Sequence, residues 1–244
     1  MTKKMVFSSV GDNTNFDSLW INDNMDYDIY VIYYGDDENI FTRYKSKVHY
    51  IEQRKGSKFQ NFKYFYEKNI EIINKYDYFF ILDDDIVIDV NSINNMFKIA
   101  SKYNLSICGP AFLESSKHSH KILKQKKDIT LVYTNFVEVN TPLFNKNSLQ
   151  NLMKWLDNSL IGWGIDFLYI WANGLNKKTD YAIIHSIGCI NPYEVNKKNL
   201  NRELQLIDKW SSRQKIWKEY ADKIHCPRHF KLEEYGTIYL DNNT

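Results

Sequence analysis

Apolar positions along this chain fall into two alternating rhythms. Short continuous runs read as strands, and between them apolar residues recur every three or four positions, as on one face of a helix. Met5 to Val10 is the first run, and it stops at the turn cluster Gly11-Asp12-Asn13. Asp28 to Tyr34 is the second, stopping at Gly35-Asp36-Asp37, and Lys47 to Ile51 is a short third. Between 57 and 75, Phe59, Phe62, Tyr66, Ile70 and Ile73 repeat at helical spacing. Tyr78 to Leu82 is unbroken and aromatic or aliphatic, which predicts a strand buried on both faces. It runs into Asp83-Asp84-Asp85, and Ile86-Val87-Ile88 follows.

The alternation continues. Ile93, Met96, Phe97 and Ala100 mark a helix, with Asn91 or Ser92 as its cap. Leu105 to Cys108 is a strand closed by Gly109-Pro110, and the polar, basic stretch 115 to 127 reads as a mobile loop. Ile129 to Val139 is strand-like. Leu149, Leu152, Met153 and Leu156 define a helix running toward Gly162-Trp163-Gly164, and another helix opens near Asp166. Tyr181 to Ile187 predicts a last core strand. From 197 to 224, Leu200, Leu204, Ile207, Trp210, Trp217, Tyr220 and Ile224 line one side of an amphipathic helix or two. Strands alternating with helices predict an α/β fold. The expected division is a catalytic domain over 1–195 and a helical extension over 196–244 that packs on it.

Composition narrows the function classes. A chain of 244 residues with 43% hydrophobic residues has enough apolar material for a core and is not disordered. A net charge of +2 gives no whole-chain case for nucleic-acid binding. Cys108, Cys189 and Cys226 are odd in number and widely spaced, so neither a disulfide framework nor a zinc site is expected. No signal peptide is evident and no run approaches 18 apolar residues, so the expectation is a cytoplasmic protein without a transmembrane segment. The basic, aromatic C-terminal helix leaves peripheral membrane contact open, and oligomeric state is not legible.

Three consecutive Asp at the carboxyl end of a buried strand stand where open α/β sheets bind ligands. Adjacent carboxylates repel, and a hard divalent cation such as Mg²⁺ or Mn²⁺ relieves that repulsion. In extended backbone Asp83 and Asp85 point to one side and Asp84 to the other. The ordinary alternative is an acidic turn, since Asp favours turns for its own hydrogen-bonding reasons.

The segment YFFILDDDI, followed by FVEVNTPLFNKNSLQNLMKWLDNSLIGWGIDFLYIW, resembles a glycosyltransferase-like family of plants, bacteria and large viruses. It resembles GT-A-type glycosyltransferases more broadly, over roughly residues 5 to 190. The resemblance implies a single GT-A, Rossmann-like domain with a mostly parallel mixed central sheet. It implies that Asp83 and Asp85 hold Mn²⁺ or Mg²⁺ against the diphosphate of a nucleoside-diphosphate sugar, UDP foremost, with Asp84 reaching the ribose or donor sugar. Ser8, Ser9, Val10, Gly35 and Asp36 would border the nucleotide, Lys58 would lie near the donor, and His185 would be a further metal ligand. Asp166 falls where inverting enzymes place the catalytic carboxylate, although Phe167 stands where those enzymes often carry a second acid.

The chemistry expected is substitution at an anomeric carbon, with a nucleoside diphosphate leaving and a glycan or other hydroxyl-bearing acceptor attacking. Asp166 is the candidate general base, and its ordinary alternative is a first-turn helix acid. Trp163 offers a sugar-stacking face or a core aromatic, and Gly162 and Gly164 would let backbone approach the substrate. For Lys58 the alternatives are diphosphate contact and simple solvation. His118 and His120 form an HxH pair in the lysine-rich loop, which could close over an anionic donor. The competing classes are a metal-dependent nucleotidyl- or phosphoryl-transfer enzyme and a GT-A domain that only binds sugar nucleotides.

Overall fold

Strand β1 (Lys4–Val10) is buried from its second residue to its last, and the rest of the sheet grows outward from it. It pairs in parallel with β2 (Asp28–Tyr33), which carries β3 (Tyr50–Gln53) on its far edge. On its other side it pairs in parallel with β4 (Tyr78–Asp83). This computed structural model describes residues 2–192 and 210–240.

Beyond β4 the sheet becomes mixed. It takes in β5 (Ile107–Phe112), β6 (Ile129–Thr134), β7 (Leu143–Asn145), β8 (Tyr181–Cys189) and β9 (Glu234–Tyr239), in the order β3-β2-β1-β4-β7-β5-β8-β6-β9. The short β7 is wedged antiparallel between β4 and β5. β5 and β8 run parallel, while β6 runs antiparallel to both β8 and β9. The single mixed central sheet agrees with the expected α/β class.

Alternation of side chains assigns the two faces. Phe7 and Tyr30 are register partners, and their rings lie 5.6 and 5.4 Å from Phe65 of α3 (Lys58–Lys68). Tyr33, of opposite parity on β2, packs on Phe41 and Tyr44 of α2 (Glu38–Lys45). Helices α2 and α3 therefore cover opposite faces. Phe7 is also in register with Ile81, so Ile81 and Asp83 share the α3 face. The remaining helices are α1 (Phe16–Leu19), α4 (Ile70–Ile73), α5 (Val90–Lys102), α6 (Lys146–Met153), α7 (Ile165–Asn173) and α8 (Trp210–Lys223). No helix among the described residues is long and apolar enough to cross a membrane. All three cysteines are buried and free.

Several elements differ from the sequence expectation. The helix over 57–75 is broken at Asn69, whose backbone leaves the helical region, and Ile70 is turned outward. The α5 cap is Asp89, whose carboxylate accepts from the Ser92 N–H, rather than Asn91 or Ser92. β3 starts at Tyr50 and runs to Gln53, later than Lys47 to Ile51. β5 runs through Gly109-Pro110 instead of ending there. A proline is tolerated because β7 pairs only with Ile107 and Cys108, and the register with β8 shifts just after Pro110.

The C-terminal region is also more than a helical extension. α8 docks on the domain through Trp217 and Ala221, and β9 then adds the last strand of the sheet beside β6. That strand is short and half polar, as edge strands are, so nothing local marks it. The expected boundary at 195/196, and Leu200, Leu204 and Ile207 of the expected amphipathic face, lie outside the described residues.

Candidate active site

The site begins at the first residue of α3. The helix starts there because the Gln60 side chain accepts from the Ser57 N–H and covers one end donor. Lys58 is then carried toward the end of β4, where Asp83 points to the same face. Its Nζ lies 2.8 Å from Asp83 Oδ1 and donates to the carbonyls of Val139 (2.7 Å) and Asn140 (3.1 Å). The Lys58 side chain is only 10% exposed, so it is not a solvated surface lysine. Burial pushes its pKa down, while Asp83, Asp85 and Glu138 oppose that shift.

The Asp triplet divides. Extended backbone ends at Asp83, and a turn closed by Ile86 N–H to Asp83 O carries Asp84 and Asp85. The 83/85 alternation expected of a straight strand therefore stops at the turn. Asp83 and Asp85 both lie within the field of the Lys58 ammonium. The Asp84 carboxylate turns the other way, is buried, and accepts from the Gly11 N–H (3.0 Å) and the Tyr34 hydroxyl (2.7 Å). It ties the ends of β1, β2 and β4 together.

The strand-end residues expected to border a nucleotide are placed as follows. Ser8 is fully buried and donates to the Leu82 carbonyl at 2.8 Å, while Ser9 accepts from Asn61 of α3 at 2.5 Å. Val10 is fully buried. Gly35 has no room for a side chain, since a Cβ would lie 2.1 Å from Asp12 Oδ1, and its carbonyl accepts from Gln53. Asp36 is exposed and pairs with Lys55 at 2.8 Å.

Glu138 is the acid that the sequence reading passed over. It follows β6 in the segment Phe136-Val137-Glu138-Val139, is 6% exposed, and its Oε2 is buried without a hydrogen-bond partner. The signal was present: an acid inside an apolar run, as at Asp83. Burial pushes its carboxyl up, and the Asp166 charge pushes it further; the Ser119 hydroxyl and Lys58 act the other way. Asp166 is likewise held up, chiefly by burial, although the Phe167 N–H donates to its Oδ1 at 3.0 Å. The first-turn helix role and a site role thus coexist at Asp166.

Asp166 is aimed by its helix start. Gly164, with φ of +80°, precedes α7, and a Cβ there would lie 2.1 Å from the Trp217 ring. The close approach on the Cβ side of Gly164 is to α8. Gly162, with φ of +89°, has open space beside it, and Trp163 is half-buried against the core. The loop expected to be mobile is docked: Ser116 and Leu123 are buried, the His120 ring meets Phe136 edge-on, and Ser119 reaches Glu138.

His185 does not join the Asp83 group. It lies on β8, with β7 and β5 between it and β4, about 14 Å away at ordinary strand spacing. Its Nδ1 accepts from the Lys126 N–H at 3.1 Å, and burial lowers its pKa to about 4. Among the described residues no group of three or more His, Cys, Asp or Glu side chains is arranged to hold a metal ion. Asp83 and Asp85 remain as an oxygen-only pair in a region where three acids, Asp83, Asp85 and Glu138, face one lysine. That charge excess and donor chemistry fit a hard divalent cation whose shell a ligand's phosphates complete.

The chain is similar to solved structures of S. aureus TarS. One matches with a TM-score of 0.53 at 9% identity, over 91% of this chain and 43% of that one. TarS 1-349 in complex with UDP-GlcNAc matches with a TM-score of 0.57 at 9% identity, over 91% and 66%. TarS 1-349 in complex with UDP gives 0.51 at 8%, over 91% and 71%. The chain thus spans less than half the length of the first TarS chain. At these identities the likeness shows a shared fold. The comparison with curated proteins gives no match. A family described as a protein of unknown function, DUF707, matches residues 20–225, and this chain belongs to that family.

Proposed function

We propose that this protein is a glycosyltransferase that moves a sugar from a nucleoside-diphosphate donor, UDP foremost, to an acceptor hydroxyl with inversion. The observation that carries the reading is the convergence of Asp83, Asp85 and Lys58 at the carboxyl end of β4 with Glu138 and Asp166 nearby. TarS, similar in fold, has been solved with UDP-GlcNAc and with UDP, which favours that donor class.

Asp83 and Asp85 would hold Mn²⁺ or Mg²⁺, which when bound offsets the negative charge building on the departing diphosphate. Lys58 keeps the Asp83 carboxylate in a fixed orientation and supplies a buried positive charge beside it. Asp84 holds the strand ends that floor the donor crevice. Asp166 takes the proton from the attacking hydroxyl, and its raised pKa suits a base working near neutral pH. A general base of this kind contributes about 10²–10⁴-fold.

Isothermal titration with UDP, GDP and CDP, with and without Mn²⁺, tests the donor site. Metal-dependent binding of UDP is expected. If none of the three binds in either condition, the reading fails.

A further inference from the structure

We infer that the groove between the 155–159 loop and α8 is an acceptor subsite for a neutral oligosaccharide, with Trp155 as the platform on which one of its sugar rings stacks. The acceptor role rests on the glycosyltransferase reading; carbohydrate binding in the groove is tested apart from it.

Two segments distant in sequence build the groove. Asp157 and Ser159 form one wall, and Ile216, Glu219, Tyr220 and Lys223 of α8 form the other, around a cavity of about 300 Å³. That is the lower end of the range of ligand pockets, about 300–1,000 Å³. The walls are fixed. The Tyr220 hydroxyl donates to the Trp155 carbonyl, so α8 holds the loop. Gln60 donates to the Asn158 carbonyl at 2.7 Å and Lys63 to the Leu156 carbonyl, which ties the same loop to α3. A groove already set before its ligand arrives loses little ordering entropy on binding.

The groove borders the active site. Gln60 lies two residues after Lys58, on the helix that opens at Asp83. The loop continues into Gly162-Trp163-Gly164, Asp166 stands two residues further, and Trp217 of α8 packs on Gly164. Between the groove and Asp166, a Cβ at Gly162 would meet nothing within 4 Å, so the backbone there leaves room for a bound chain.

The lining suits a sugar. Trp155 is 40% exposed, whereas Trp20 and Trp217 are buried and Trp163 and Trp171 are half-buried against the core. One exposed aromatic by itself means little. Here the ring is set edge-on to Trp171 of α7 at 4.9 Å, and its carbonyl is held by Tyr220 of the groove. A rigid aromatic gives a large contact area at low entropic cost. A sugar ring presents apolar C–H faces and a rim of hydroxyls. Ile216 and the Tyr220 ring suit the faces, while Asp157, Ser159, Glu219 and Lys223 supply acceptors and donors for the rim. The Asp157 carboxyl is held below its ordinary range by the Ser159 N–H and hydroxyl, and then by Lys63 and Lys223. Glu219 pairs with Lys215 at 3.8 Å. Acids and lysines thus offset each other, and without excess positive charge the groove favours a neutral chain over a polyanion.

The test uses the full chain labelled with 5-fluorotryptophan, the Trp155 ¹⁹F signal being assigned by its loss in Trp155→Phe. The probes are neutral cello-, malto-, xylo-, manno- and chitotetraose, with a heparin tetrasaccharide as the polyanion. At least one neutral probe is expected to shift the Trp155 signal saturably, with a Kd of about 1 mM or tighter. Trp155→Ala should weaken that binding about tenfold or more in isothermal titration. Ser159→Trp, at an exposed loop position, fills the groove and should weaken it likewise with the thermal midpoint kept. If no neutral probe shifts the signal, if only the heparin probe binds, or if either folded variant binds as wild type does, the inference is overturned. If Trp155→Ala does not fold, Ser159→Trp decides. No nucleotide or metal enters the measurement, so its failure is distinct from failure of the donor-binding test.

Discussion

Lys58 and Asp83 meet at 2.8 Å at the junction of α3 and β4, with the lysine carbon chain buried behind them. The pair joins the first residue of a helix to the last residue of a strand twenty-five positions on, and the same ammonium also holds the 139–140 backbone. One side chain thus fixes three segments of the site.

Removing it is therefore costly. Lys58→Met should destabilise the chain by about 3–5 kcal/mol, because a partly buried carboxylate loses its partner and two carbonyls lose a donor. Urea unfolding measures this, and a loss below about 1 kcal/mol would mean that the pair behaves as an ordinary surface bridge. The variant should also lose UDP binding where it still folds.

The packing of α8 on the Gly164 turn gives a second prediction. Trp217→Ala removes a fully buried ring, anchored through its Nε1–H to the Arg228 carbonyl, and should cost about 3–5 kcal/mol. Gly164→Ala places a methyl into that ring at a left-handed backbone position and should be destabilising on both counts. Thermal unfolding of both variants checks this; a Gly164→Ala protein as stable as wild type would show that α8 does not bear on the turn.

Tyr34 reports on Asp84. Its hydroxyl and the Gly11 N–H are donors to a buried carboxylate, so Tyr34→Phe should cost about 1–3 kcal/mol by leaving that charge short of one bond. Donor affinity should fall as well, since the β1 and β2 ends lose a tie. Calorimetry on the variant separates the two effects.

Stability should respond to pH through two oppositely signed contributions. His185 is held neutral by burial, with a pKa lowered to about 4. The unfolded chain binds its proton first, so this contribution is intact above about pH 6.5 and is lost as pH falls toward 4. Glu138 and Asp166 are raised, so their contribution is intact below the ordinary carboxylate range and is lost as pH rises through their folded values. Glu138→Gln should flatten the neutral-to-alkaline decline in a pH series of urea midpoints. An unchanged decline would count against a raised Glu138.

The legible parts of the fold were those with a local cause. Tyr78 to Leu82 reads as a doubly buried strand, and Phe59, Phe62 and Tyr66 recur at the spacing of one helical face. The break at Asn69 was illegible because the apolar stripe runs straight through it. β7 has three residues, too few for any periodicity, and β9 reads as a polar edge.

The sequence by itself determined the α/β class and the carboxylates at the end of β4, because burial on two faces and charge at a strand end are written in consecutive residues. Tertiary structure alone decided their company. It brought Lys58 onto Asp83, turned Asp84 inward to Gly11 and Tyr34, kept His185 on another strand, and placed Glu138 with Asp166. These are relations between side chains distant in sequence, set by sheet order and by which face each residue occupies. No local pattern encodes such neighbours, since they exist only once the strands have paired.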